Sequence, residues 1–313
     1  MTVAGVTAFV DRAVAGEVRA VARLLSLVED GDERLGEVAA ALAPHTGRAR
    51  VVGLTGSPGV GKSTLTNALV GAYRSQGLTV GVLAVDPSSP FTGGAILGDR
   101  VRMQDHFTDG GVFIRSMSSR GHLGGLAAAT PQAVRVLDAA GFDVILIETV
   151  GVGQAEVEVA SLADTTLVLL APGMGDAIQA VKAGILEVAD VFVVNKADRE
   201  GADATVRDIR GMLRLGERTH EKAWEPPVCK TVAERREGVD EVVAEIASHH
   251  EWLVSSGDLV RRREKRAAAE VEHLAVGLLR ARVRTDVLAT LAADVAAGRT
   301  DPHTAAATLV SGL

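Results

Sequence analysis

The sequence predicts an α/β fold in which a mainly parallel central sheet is flanked by helices, with helical extensions at the N- and C-termini. Three observations lead there. A glycine-rich stretch, GSPGVGKS (Gly56–Ser63), stands between an apolar run, Val51–Leu54, and a helix-like stretch, Thr64–Arg74. Seven short apolar runs recur with helical lengths between them, the alternation that builds parallel sheets. The two ends of the chain instead carry apolar residues at helical spacing.

In chain order, residues 1–48 form the N-terminal extension, with Val18, Val21, Leu24, Leu25 and Val28, then Leu35, Val38 and Leu42, on helical faces. Residues 49–240 hold the sheet, whose strands are expected near 51–55, 80–85, 112–116, 143–148, 165–171, 190–195 and 227–231. Residues 241–313 turn helical again, with Leu274, Val276, Leu278, Leu279, Val287, Leu288 and Leu291, and are expected to form a dimerisation arm. At 313 residues and 47% hydrophobic content, the chain is long enough for one large α/β domain plus these additions.

The GSPGVGKS stretch has the pattern G-x-x-x-x-G-K-[ST] in the strand-to-helix setting that pattern requires, which makes the fold a P-loop NTPase. Its glycines let successive N–H groups converge on phosphate oxygens, and the helix N-terminus favours the anion. Lys62 reaches the outer phosphates, and the Ser63 hydroxyl can ligate Mg²⁺. A nucleoside triphosphate is the implied ligand.

The run Asp190–Asn195 leads into Asn195-Lys196-Ala197-Asp198, which resembles the N-K-x-D guanine reader of GTPases. A carboxylate at Asp198 can accept from the ring N1–H and the exocyclic amine of guanine, whereas adenine would leave it unpaired. Lys196 would lie along the base, and Asn195 would tie the loop together. Two further strands end in acids, Asp86 and Glu148, and that edge of a parallel sheet is where ligands bind. Hard oxygen ligands suit Mg²⁺, so Asp86 and Glu148 are read as metal residues with Asp99 as a third candidate. Gly151 follows, placed to offer an N–H to the γ-phosphate.

The set GSPGVGKS, Asp86–Met103, Glu148–Glu156, Gly175–Asp190 and NKAD is similar to the MeaB/ArgK-type GTPases associated with methylmalonyl-CoA mutase. The resemblance implies a Mg²⁺-dependent GTPase of the signal-recognition-particle and MinD-like class, turning GTP into GDP. It also implies a homodimer that loads and protects an adenosylcobalamin-dependent acyl-CoA mutase. Residue by residue, it assigns Gly56, Ser57, Pro58, Gly59, Val60, Gly61, Lys62, Ser63 and Thr64 to phosphates, and Ser63, Asp86, Asp99 and Glu148 to Mg²⁺. It assigns Asn195, Lys196 and Asp198 to guanine, with Thr231, Val232 and Ala233 where backbone amides meet the guanine carbonyl. Residues 176–182 match a switch that answers the mutase.

Catalysis is expected to rest on charge: Lys62, the metal with Glu148, and loop amides stabilise the equatorial oxygens. Gln154 is a candidate to orient water, and Lys182 a cation brought inward by the partner, with turnover slow in its absence. Two other readings compete. A nickel-insertion metallochaperone GTPase would want a Cys/His-rich motif, and the chain has one cysteine. An ATP-dependent kinase or transport accessory protein is disfavoured by NKAD.

Lys plus Arg number 33 against 40 Asp plus Glu, a net charge of −7 that argues against nucleic-acid partners. The single cysteine, Cys229, suits a reducing compartment and is expected buried in a short strand. No targeting segment is recognised and no apolar run reaches the ~18 residues of a membrane helix, so the cytoplasm is the expected location. The cluster Arg261, Arg262, Arg263, Lys265, Arg266 reads as a solvated helix face, and His249 and His250 lack the carboxylate company of a metal site.

Overall fold

The computed structural model describes residues 3–86, 106, 108–118, 129–149, 155–173, 188–215 and 224–312. Seven strands form one sheet: β1 (Arg50–Gly56), β2 (Val80–Asp86), β3 (Val112–Ser118), β4 (Val144–Thr149), β5 (Thr165–Leu170), β6 (Val191–Val194) and β7 (Val228–Lys230). The order is β3-β2-β4-β1-β5-β6-β7, and every pairing is parallel. β1, β4, β5 and β6 are buried almost throughout, as expected of strands covered on both faces.

Period-two alternation sorts the side chains into two layers. Ile145 and Ile147 of β4 join a cluster with α1 (Val3–Val14), α2 (Val18–Asp30), α3 (Leu35–Leu42), α5 (Thr130–Ala139) and α6 (Ala155–Leu162). Val144 and Leu146 join the other, with α4 (Lys62–Ser75) and α8 (Val239–Ser256). A third cluster sets α7 (Ala202–Leu215) against β5 and β6. The α2 positions picked out by helical spacing, Val21, Leu24, Leu25 and Val28, are all buried.

The chain divides into two compact units, residues 1–263 and 264–313. The helical tail expected from residue 241 therefore opens with a helix, α8, whose Val239, Val242, Val243 and Ile246 belong to the sheet's own core. α9 (Asp258–Arg282) runs on from there, and the second unit holds its later turns with α10 (Thr285–Ala296) and α11 (Pro302–Ser311). Asp301 caps α11, accepting from the His303 and Thr304 amides at 2.9 and 3.0 Å. Among the described residues no helix is long and apolar enough to cross a membrane.

Two expectations about charged side chains are corrected. Arg262 and Arg263 are not on a solvated face: Arg262 pairs with Asp190 at 2.9 Å and Arg263 with Asp164 at 2.8 Å, and both carboxylates are buried. His249 does have carboxylate company, its Nε2 lying 3.2 Å from Asp190 Oδ1, while Nδ1 meets Thr165 Oγ1 at 2.9 Å. The acid partners lie 59 to 99 positions away in the chain, beyond any local pattern.

Candidate active site

β1 sits between β4 and β5, where the strand order turns back on itself, so its C-terminal end opens onto the crevice at the topological switch point. Gly56 closes β1 and α4 begins at Lys62, leaving residues 57–61 to make the turn. Two glycines are obligatory there. Gly56 has φ +142°, and a Cβ would come within 2.4 Å of Leu169 O. Gly61 has φ +96°, and a Cβ would stand 2.3 Å from Asn195 Nδ2.

Lys62 is buried, and its Nζ donates to Gly56 O at 2.6 Å and Ser57 O at 3.2 Å, folding the ammonium back over its own loop. Its neighbour Ser63 donates from Oγ to Glu148 Oε1 at 2.5 Å. Glu148 arrives on β4, in register with Leu54 of β1 and Ala84 of β2. Two of the four residues expected around Mg²⁺ therefore meet, and a hydroxyl beside a carboxylate is the hard-oxygen donor set that cation takes. Asp86 is the last residue of β2, two register steps beyond Ala84, on the same sheet edge. The Asp86 side chain, and Asp99, Gly151, Gln154 and Lys182 altogether, lie outside the described residues.

Asn195 joins the two motifs. Its Nδ2 donates to Val60 O at 2.9 Å, and its Oδ1 accepts from Thr231 Oγ1 and the Ala233 amide, each at 3.1 Å. One buried amide thus binds the phosphate loop to the segment after β7. Lys196 adopts φ +56°, a left-handed conformation uncommon outside glycine, and lays its Nζ on Gly59 O at 2.7 Å. Asp198 is half-exposed at the rim.

The amides of Thr231, Val232 and Ala233 donate to Val194 O, Glu237 O and Asn195 Oδ1 at 3.0, 3.0 and 3.1 Å, so the segment seats Asn195 with its own backbone. Sequence reasoning missed Arg235, whose NH1 stands 3.6 Å from Asp198 Oδ2. No spacing rule links it to NKAD. Cys229 lies buried in β7, where burial pushes its thiol up to about 12.

The family described as "Methylmalonyl Co-A mutase-associated GTPase MeaB" matches residues 21–287. A Pyrococcus abyssi protein named as a GTPase is 50% identical over 279 residues, 89% of this chain and 86% of that protein. GTPase ArgK of Escherichia coli K12 is 38% identical over 260 residues, 80% of this chain and 78% of its own length. A solved structure described as "LAO/AO transport system kinase" superposes with a TM-score of 0.72 at 26% identity, covering 99% of this chain and 98% of that one.

Proposed function

This chain belongs to the MeaB family and is a GTPase, and from that premise we propose that it is the Mg²⁺-dependent chaperone of an adenosylcobalamin-dependent acyl-CoA mutase. The observation that carries the nucleotide half of this reading is Asn195, which holds the phosphate loop and the NKAD loop as one pocket. In that pocket Asp198 accepts from guanine, and Asn195, Lys196 and residues 231–233 shape the base site. The loop from Gly56 to Thr64 wraps the phosphates.

Ser63 and Glu148, with Asp86 and Asp99, would hold Mg²⁺, which when bound neutralises charge on the β- and γ-phosphates. Lys62 exchanges its two carbonyl partners for phosphate oxygens, a charge-assisted contact stronger than the one it leaves. Gln154 orients the attacking water, and Lys182 supplies a cation when the partner engages residues 176–182. Without that partner turnover is slow.

The partner reading rests on the family and on relatives such as the Caenorhabditis elegans protein named methylmalonic aciduria type A homolog, 39% identical over 217 residues, 68% of this chain and 54% of that protein. The homodimer is supported by the second unit, which leaves Val271, Leu274, Leu278, Leu279 and Leu288 exposed. Residues 1–48, 49–240 and 241–313 then serve as extension, GTP-binding domain and dimerisation arm, in a cytoplasmic protein.

The test is competition against a fluorescent GDP, followed by capture from the source cell with a nonhydrolysable GTP analogue. GTP displacing the probe while ATP does not, and recovery of a cobalamin enzyme, are expected. ATP competing equally would favour the kinase reading, and a hydrogenase or urease precursor in the capture would favour nickel delivery.

A further inference from the structure

The turn after β7 carries a charge that the nucleotide reading above leaves without a role. Val232 N donates to Glu237 O at 3.0 Å and Glu237 N returns to Val232 O at 3.3 Å, closing residues 232–237 into a small loop. Gly238 follows at φ +74°, so close to β7 that a Cβ would lie 2.1 Å from Lys230 O. The loop is thereby pinned to the strand it leaves. Through Ala233 N and Asn195 Oδ1 it is also pinned to the base-reading loop.

Arg235 stands on this loop with its guanidinium gripped from one side. Nε donates to Glu237 Oε1 at 2.8 Å and NH2 to Oε2 at 3.4 Å, a fork that leaves NH1 directed at Asp198. The distance of 3.6 Å to Asp198 Oδ2 is too long for a hydrogen bond but well within ion-pair reach. Asp198 therefore keeps its lone pairs for other donors while standing in the field of a cation.

With side chains 54% and 41% exposed, the two charges are screened by water, and such a pair adds little to folding. That changes when a purine covers Asp198 and removes water from it. A carboxylate losing its hydration needs compensation, and the nearest described cation is Arg235.

We infer that Arg235, held by Glu237, is a positioning residue of the guanine site, offsetting the charge of Asp198 as the base seals it from solvent. The inference rests on Asp198 being the guanine carboxylate. It concerns bound-state energetics and not the stability of the empty protein.

A double-mutant cycle read by fluorescent nucleotide binding to the full chain tests it. Arg235→Ala is expected to weaken GDP about tenfold, with an unchanged melting temperature, and Arg235→Lys to recover most of the loss. Asp198→Asn removes the charge that Arg235 compensates, and is read with xanthosine diphosphate in mildly acidic buffer where the xanthine base is uncharged. In that background Arg235→Ala should change affinity by less than about twofold. Arg235→Ala leaving GDP affinity intact, or weakening both nucleotides equally, would overturn the inference while the guanine assignment stands. Asp198→Asn leaving the preference for guanine unchanged would sink that assignment, and the role of Arg235 with it.

Discussion

Arg262 and Asp190 meet in a two-point contact, NH1 to Oδ2 at 3.0 Å and NH2 to Oδ1 at 2.9 Å, that joins the first turns of α9 to the entry of β6. The carboxylate is buried and serves several partners at once. It accepts from the Thr166 amide at 2.8 Å and faces His249, whose ring forms a three-ring cluster with Trp224 and Trp252. Trp224 donates to Asp190 O at 2.7 Å. Removing the guanidinium leaves a buried charge short of its two-point donor, so Arg262→Ala is expected to cost about 2–4 kcal/mol. Urea denaturation followed by tryptophan fluorescence measures this directly, because the only two tryptophans flank the node.

Acid stability follows from the same carboxylate. Burial pushes Asp190 up, but hydrogen bonds and charge from His249 and Arg262 outweigh it and hold the group below the ordinary aspartate value. A depressed folded value means the contribution is fully present above the unfolded value of about 3.9 and is lost as pH falls through the folded one. Asp258, 4.0 Å from Arg262 Nε, and Asp164, paired with Arg263 at 2.8 Å, are the neighbouring acids. Stability of the parent chain should fall below about pH 4, and Asp190→Asn should flatten that limb while lowering stability at neutral pH. An unchanged acid limb in the variant would contradict the role given to Asp190.

The sheet was legible because VVGLTG, VILIE and TTLVLL are buried on both faces and so read as unbroken apolar runs. The phosphate loop and NKAD were legible because their spacing is local. The Arg262–Asp190 and Arg263–Asp164 pairs were not, since a basic run on a helix looks solvated until the fold brings acids 72 and 99 positions away alongside. α8 illustrates the same limit: its helical period is plain in sequence, while the surface it covers is set by topology.

Cys229 offers a check on burial. Its thiol, pushed up by loss of solvent to about 12, holds almost no thiolate near neutrality. Reaction with a disulfide reagent at pH 8 should therefore be slow in the folded chain and rise at least about a hundredfold in denaturant. Fast labelling of the native protein would place the residue outside the core.

Gly61 couples the phosphate loop to Asn195 by contact as well as by hydrogen bonding. An alanine there must hold φ near +96° and find space where Asn195 Nδ2 stands 2.3 Å away. Left-handed strain of about 1–2 kcal/mol adds to the displacement of the amide that donates to Val60 O. Gly61→Ala is expected to abolish nucleotide binding while the circular dichroism spectrum stays native. Retained GDP affinity would show that the loop tolerates a side chain and that the junction is looser than the structure describes.

Ser63 and Glu148 provide the test of the metal reading. Glu148→Gln preserves shape and can still accept from the Ser63 hydroxyl at the 2.5 Å contact, but it removes the negative charge from the donor set. A role in folding alone predicts a loss of stability with hydrolysis scaling to the folded fraction. A role in holding Mg²⁺ predicts something different: GDP affinity without metal is retained, the Mg²⁺ concentration for half-maximal hydrolysis rises, and the maximal rate drops about a hundredfold. Ser63→Ala should act in the same direction, and the two losses should be less than additive because the residues share one site. Additive effects, or a rate that no longer depends on Mg²⁺ in either parent or variant, would separate Glu148 from the metal and leave its contact with Ser63 a structural one.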